Sequence, residues 1–145
     1  MKPAILVSRC LLGEPCRYDG GDNRSEAVCR LASRYRIIAI CPECDGGLPT
    51  PRTPSERQAD RVVMRDGSDV TAAFLRGAEH ALALAREHRI AFAVLKARSP
   101  SCGRDVIYDG SFSRSLVERS GVTAELLLSA GYRVLTETEI ERETE

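Results

Sequence analysis

Six cysteines stand in the 145 residues, at positions 10, 16, 29, 41, 44 and 102. Three of them follow short apolar runs. Ala4-Ile5-Leu6-Val7-Ser8 leads to Cys10, and Ile37-Ile38-Ala39-Ile40 leads to Cys41. The run Ile90 to Leu95 leads into a loop, Lys96 to Gly103, that carries Cys102. Such runs read as buried strands. In a parallel sheet the carboxyl ends share one edge, where open α/β sheets bind ligands. Cys10, Cys41 and Cys102 then converge on one rim, and three converging thiolates fit a soft metal centre. An iron–sulfur cluster with four irons needs four ligands, so three cysteines leave one iron open.

Other reactive side chains cluster around these thiols. Glu43 stands two residues after Cys41, in Cys41-Pro42-Glu43-Cys44-Asp45-Gly46-Gly47-Leu48-Pro49-Thr50-Pro51-Arg52. Ser99 and Ser101 flank Pro100 beside Cys102, and Lys96 ends a buried run, where a charge is unusual and is expected to reach into the site. Gly46, Gly47, Pro49, Pro51 and Pro54 are expected to exclude a helix after Cys41. A Cys-x-x-Cys pair without a helix start lacks what lowers the pKa of a redox thiol. Cys29, inside a helical segment, is the kind of small buried thiol that packs a core. Cys16 is either a fourth ligand or loop packing. Three readings stay open on these residues alone: an enzyme built on a metal or cluster site, a non-catalytic zinc- or cluster-binding protein, and a thiol-redox protein using Cys41 and Cys44.

The elements that position these residues alternate. Ser25 can cap a helix to about Arg34, with Val28, Leu31 and Tyr35 on one face. Arg61 to Met64 is a short strand. Ser68 or Asp69 can cap a long helix from Val70 to His88, striped by Phe74, Ala78, Ala81, Leu82 and Ala85. Ile107 to Gly110 is a turn. Thr123 caps a helix to about Ala130, ended by Gly131. Arg133 to Leu135 is a last strand, and 137–145 is a charged tail, frayed or briefly helical. Strands alternating with helices predict an α/β fold, a three-layer sandwich on a mostly parallel sheet of about four strands, of the Rossmann or flavodoxin kind. The length predicts one domain spanning 1–145.

Twenty-one basic and 21 acidic side chains give a formal net charge of zero, which argues against nucleic acid or an anionic membrane as partner. With no tryptophan and few aromatics, nothing resembles a base-stacking platform. No run approaches a membrane span and no signal peptide is visible, so the expected location is the cytoplasm, where thiols stay reduced.

The motifs together are specific. Ser8-Arg9-Cys10-Leu11-Leu12-Gly13, Cys16-Arg17-Tyr18-Asp19-Gly20, Cys41-Pro42-Glu43 with Gly46 to Arg52, Asp69 to Phe74, Lys96 to Gly103 and Gly121-Val122-Thr123-Ala124 cover the whole chain. The combination resembles a bacterial family first known as a domain of unknown function, which includes thiouracil desulfurases. The resemblance implies a [4Fe-4S] cluster on Cys10, Cys41 and Cys102, with the fourth iron free to take sulfur from a small thiolated base. It implies non-redox conversion of a substrate such as 4-thiouracil to uracil and hydrosulfide. Glu43 matches the family's catalytic glutamate, and its catalytic serine falls on Ser99 or Ser101. The chain departs from the pattern twice. Cys44-Asp45 stands where the family more often has aliphatic residues, and no glycine follows Phe112-Ser113.

Overall fold

A computed structural model describes residues 2–143. Its first strand, β1 (Ala4–Ser8), is buried along its whole length. Helix α1 (Glu26–Cys29) continues as a 3-10 turn over Arg30–Ser33, and Ser25 caps it by accepting the Val28 N–H at 3.4 Å. Strand β2 (Arg36–Ile40) follows, then a single helical turn, α2 (Pro42–Asp45). The antiparallel pair β3 (Ser55–Gln58) and β4 (Arg61–Met64) precedes the long helix α3 (Thr71–His88). Strand β5 (Ala93–Leu95) is followed by a two-residue antiparallel pair, β6 (Ile107–Tyr108) and β7 (Leu116–Val117). Helix α4 (Val122–Ser129), strand β8 (Val134–Thr136) and helix α5 (Glu137–Glu143) complete the chain. The helical form of the charged tail is thus seen as far as Glu143, and 144–145 lie outside the described residues.

Four strands make the main sheet in the order β2-β1-β5-β8, and every pairing in it is parallel. Alternate residues of β1 point to opposite faces. Ala4 and Leu6 pack with Ala81, Ala85, Ala124 and Leu127 of α3 and α4. Ile5 and Val7 pack with Ala27, Val28 and Ile140 of α1 and α5. The result is the three-layer α/β sandwich expected from the alternation of elements. Among the described residues no helix is long and apolar enough to cross a membrane.

Three local expectations are corrected. The turn after Cys41 is helical. Pro42 sits at the first helical position, where a missing N–H costs nothing, and Gly47 at φ 105° ends the turn rather than forbidding it. Thr123 is not a cap. Gly121 holds that position, because Thr123 is drawn inside the helix by Ser101: their hydroxyls lie 2.7 Å apart, and the Thr123 N–H donates to the Ser101 carbonyl at 2.8 Å. Ile107-Tyr108 is a strand rather than part of a turn, and Ser55–Gln58 is a strand that the sequence did not announce.

The short α2 is held by backbone contact with α3. A Cβ on Gly77 would stand 1.9 Å from the Pro42 carbonyl oxygen, and one on Gly46 would stand 2.0 Å from that of Ala73. Gly77→Ala must therefore push the Cys41–Glu43 turn outward. Overpacking of this kind costs about 1–3 kcal/mol, so the variant is expected to melt several degrees lower. An unchanged Tm would show that the two helices separate freely.

Asp69 precedes α3 and accepts the Thr71 N–H at 2.9 Å and Arg61 Nη2 at 2.8 Å. Thr71's hydroxyl and N–H, and then Arg61, hold its carboxyl down to about 2. The folded value lies below the ordinary 3.8. The ionised form therefore supports folding at pH above about 4, and that support is lost as pH falls toward 2. Asp69→Asn is expected to melt below the parent protein at pH 7, with the gap narrowing as pH drops to 2.

Candidate active site

Strand register decides what meets at the carboxyl edge. Ser8 of β1 lies opposite Ile40 of β2, so the chain leaves both strands side by side. A cavity of about 510 Å³ opens there, and Cys10, Cys16, Cys41, Glu43, Ser99 and Cys102 all line it. Cys10 lies in the 3-10 turn Arg9–Leu12 directly after β1. Cys41 is the N-cap of α2, and its N–H donates to Asp45 Oδ2 at 3.1 Å. Arg9 Nη1 donates to Asp45 Oδ1 at 3.1 Å, tying the Cys10 turn to the Cys41 turn. Cys102 is buried, and its Sγ accepts the Ser8 hydroxyl at 3.5 Å.

The thiols differ in chemistry. Contact with the Cys16 thiol, then with Cys44 and the Arg52 charge, brings Cys41 down to about 5 against its burial. The Cys16 contact also lowers Cys10, while Cys16 itself is pushed up and stays a thiol. Burial pushes Cys102 up to about 12. Cys10 and Cys41 are thus disposed to be thiolates, the form that binds metal. A buried Cys102 thiolate needs a cation beside it, which a metal centre supplies on binding. An all-sulfur donor set around one cavity fits a soft metal or an iron–sulfur group. Among the described residues no three Cys, His, Asp or Glu side chains are drawn together around a single ion's position.

The two serines part company. Ser99 lines the cavity. Its Oγ accepts the N–H groups of Ser101 at 3.1 Å and Cys102 at 3.0 Å, which leaves its own proton to give. Ser101 is fully buried and bonded to Thr123. Lys96 lines the cavity, yet its ammonium is taken by Glu137 and the Ala97 carbonyl, each at 3.0 Å. Cys44 lies outside the cavity lining, with its Sγ 3.4 Å from Thr50 Oγ1. Cys29 Sγ turns to the Leu11 carbonyl at 3.7 Å, as a structural thiol does.

A family model described as 2-thiouracil desulfurase matches residues 5–139. The chain belongs to the 2-thiouracil desulfurase family. The Bacillus subtilis (strain 168) protein YbbK, described as uncharacterized, is 42% identical over 146 residues, covering 94% of this chain and 97% of that one. A solved structure named a [4Fe-4S]-dependent thiouracil desulfidase, TudS, is 47% identical with a TM-score of 0.91, covering 97% of this chain and 95% of its own.

Several lining residues of this family member were not evident from the sequence. Tyr18, Tyr108 and Phe112 give the cavity aromatic walls despite the low aromatic content. Glu56 on β3 accepts the N–H groups of Gly110 at 3.0 Å and Phe112 at 3.1 Å, fastening the 110–114 loop over the site. Arg65 lies over the Phe112 ring at 5.6 Å. Arg114 takes a left-handed φ of 64° at the position where a glycine was expected after Phe112-Ser113, and it lines the cavity with Arg98. In the sequence this loop showed only as the turn expected at Ile107 to Gly110 and as the missing glycine.

The serine geometry makes a contrast. Ser101→Ala removes one partner of a buried hydroxyl pair, so it should cost stability, about 1–3 kcal/mol. Ser99→Ala unpairs the Ser101 and Cys102 N–H groups, so it should lower the melting temperature as well, but it alone should also lower turnover of the folded protein. Thermal melts and hydrosulfide-release rates on both variants check this, and the reverse pattern would exchange their roles.

Proposed function

We propose that the protein removes sulfur from a thiolated pyrimidine such as 4-thiouracil, releasing uracil and hydrosulfide without redox change, in one desulfurase domain spanning 1–145. The convergence of Cys10, Cys41 and Cys102 with Glu43 and Ser99 on one cavity carries this reading. Membership of the family and the likeness to a [4Fe-4S]-dependent thiouracil desulfidase support it.

Cys10, Cys41 and Cys102 would hold a [4Fe-4S] cluster. Bound there, it would supply an iron without a fourth protein ligand, a soft Lewis acid for a thiocarbonyl sulfur. The likeness to a [4Fe-4S]-dependent desulfidase favours the cluster over zinc. A thiol-exchange role for Cys41 and Cys44 is less favoured, because Cys41 shares the cavity with Cys10 and Cys102 while Cys44 stays behind it.

The chain's own residues do the rest. The walls of Tyr18, Tyr108 and Phe112 suit a planar base, and Arg65, Arg98 and Arg114 suit a base carried on an anionic group. Burial raises the Glu43 carboxyl while Arg52, 3.0 Å away, opposes the rise. A carboxylate in that balance can take a proton from water at the cavity wall. Ser99 donates its free hydroxyl proton to orient that water or the substrate. Water oxygen bonds the ring carbon, the carbon–sulfur bond breaks, and sulfur leaves as hydrosulfide with one proton released. The balance needs no oxidant or reductant. The six cysteines are free, which suits a reducing cytoplasm.

Anaerobic reconstitution followed by hydrosulfide release from 4-thiouracil tests the reading. The parent protein should carry about four irons with matching acid-labile sulfide and turn over. Cys41→Ala should lose iron and activity together. Glu43→Gln should keep the iron and lose about 10²–10⁴-fold in turnover, the usual contribution of a general base. A colourless protein with stoichiometric zinc, or full turnover by Glu43→Gln with its iron intact, would overturn it.

A further inference from the structure

Arg52 is a buried cation, with 3% of its side chain exposed. Such a group persists only if its donors are met. Nη1 donates to the Pro49 carbonyl at 3.1 Å, to Thr50 Oγ1 at 3.0 Å and to Cys44 Sγ at 3.6 Å, and Nη2 donates to the Cys16 carbonyl at 3.0 Å. The Arg52 N–H donates to the Tyr18 carbonyl at 2.7 Å. The guanidinium plane is therefore set by backbone and side-chain groups of two loops before it meets any carboxylate.

What remains is Nε, which donates to Glu43 Oε1 at 3.0 Å. The contact uses one nitrogen and one oxygen, not the two-pronged fork by which arginine most strongly binds a carboxylate. Among the described residues no hydrogen bond reaches Oε2. The terminal torsion of a glutamate is broad and two-fold, so a carboxylate without such a contact presents either oxygen and many angles. We propose that Arg52 is the positioning residue for Glu43, fixing Oε1 so that Oε2 faces the cavity. This rests on the reading of Glu43 as the base. Lysine would supply the charge, but it cannot span three directions from one rigid plane.

The test uses Arg52→Lys, Arg52→Gln, Glu43→Gln and the double variant Glu43→Gln/Arg52→Gln, each reconstituted anaerobically. Iron, acid-labile sulfide, kcat and KM for 4-thiouracil are measured. Both Arg52 variants are expected to keep iron and sulfide, hold KM within about 3-fold, and lose about 10²-fold in kcat, the scale of a small misplacement of a catalytic group. In the double variant, Arg52→Gln should add less than about 3-fold to the loss from Glu43→Gln, because one acts through the other. Losses that multiply, or recovery of at least half the parent kcat by Arg52→Lys, overturn the proposal.

A crystal structure of Arg52→Lys gives a readout independent of turnover. The Glu43 carboxylate should be rotated or spread over several orientations, and an unchanged carboxylate also overturns the proposal. If Arg52→Gln does not fold, Arg52→Lys and its structure still decide. If Glu43→Gln keeps full turnover, the assignment of the base fails, while the structure still reports whether Arg52 sets the carboxylate.

Discussion

Parallel pairing along one buried strand is the constraint on which everything else depends. β1 pairs with β2 on one side and β5 on the other, and all three run the same way. Each strand must therefore leave the sheet at the same edge. Both faces of β1 are covered, by α3 and α4 on one side and by α1 and α5 on the other. A one-residue slip would turn Leu6 and Val7 to the wrong layers, so the register is firmly set. The loops carrying Cys10, Cys41 and Cys102 are thereby delivered to one rim, although up to 92 residues of sequence separate the cysteines.

Around that rim the protein buries groups that water would otherwise hold. A thiol pushed up to about 12, a carboxylate pushed upward and a guanidinium with 3% exposure lie within one neighbourhood. Each has a stated compensation. Arg52 and Glu43 neutralise one another, backbone carbonyls satisfy the remaining guanidinium donors, and the Ser8 hydroxyl reaches Cys102. Stability here depends on complete pairing, since an unpaired buried charge costs far more than a pair contributes. The contact that neutralises Glu43 also ties its carboxylate to the loops that hold Arg52.

The outer wall is built differently. β3–β4 and β6–β7 are short pairs outside the main sheet, joined through Glu56 to the backbone of Gly110 and Phe112. Left-handed conformations at Phe112 and Arg114, with φ of 58° and 64°, concentrate in this loop. Strained backbone of this sort is kept where surrounding contacts hold it in place, commonly beside binding sites. The sheet edge thus holds the Cys10, Cys41 and Cys102 thiols, while a loop fastened by Glu56 brings the aromatic and basic walls.

Sequence by itself determined the sheet, the long helix and the grouping of three cysteines, because each is written in local hydrophobic runs. Ala4 to Ser8 is buried throughout, as its run predicts. Ile37 to Ile40, expected to be buried, forms an edge strand with Ala39 exposed and only Ile40 buried. Both strand ends still carry their thiols. The family motifs pointed to Glu43 and to the Ser99–Ser101 pair on the same local basis. Tertiary structure alone decided the rest. The glycines and prolines from Gly46 to Pro54 were expected to exclude a helix after Cys41, until the close approach of Pro42 to Gly77 and of Gly46 to Ala73 showed a turn held from outside. The family motif favoured Ser99 and kept Ser101 open, and only the approach of Thr123 showed Ser101 turned inward. The partnership of Arg52 with Glu43 rests on carbonyls contributed by Cys16, Pro49 and Tyr18. Such positions depend on distant backbone arriving at the same place, and no local pattern of residues encodes that arrival.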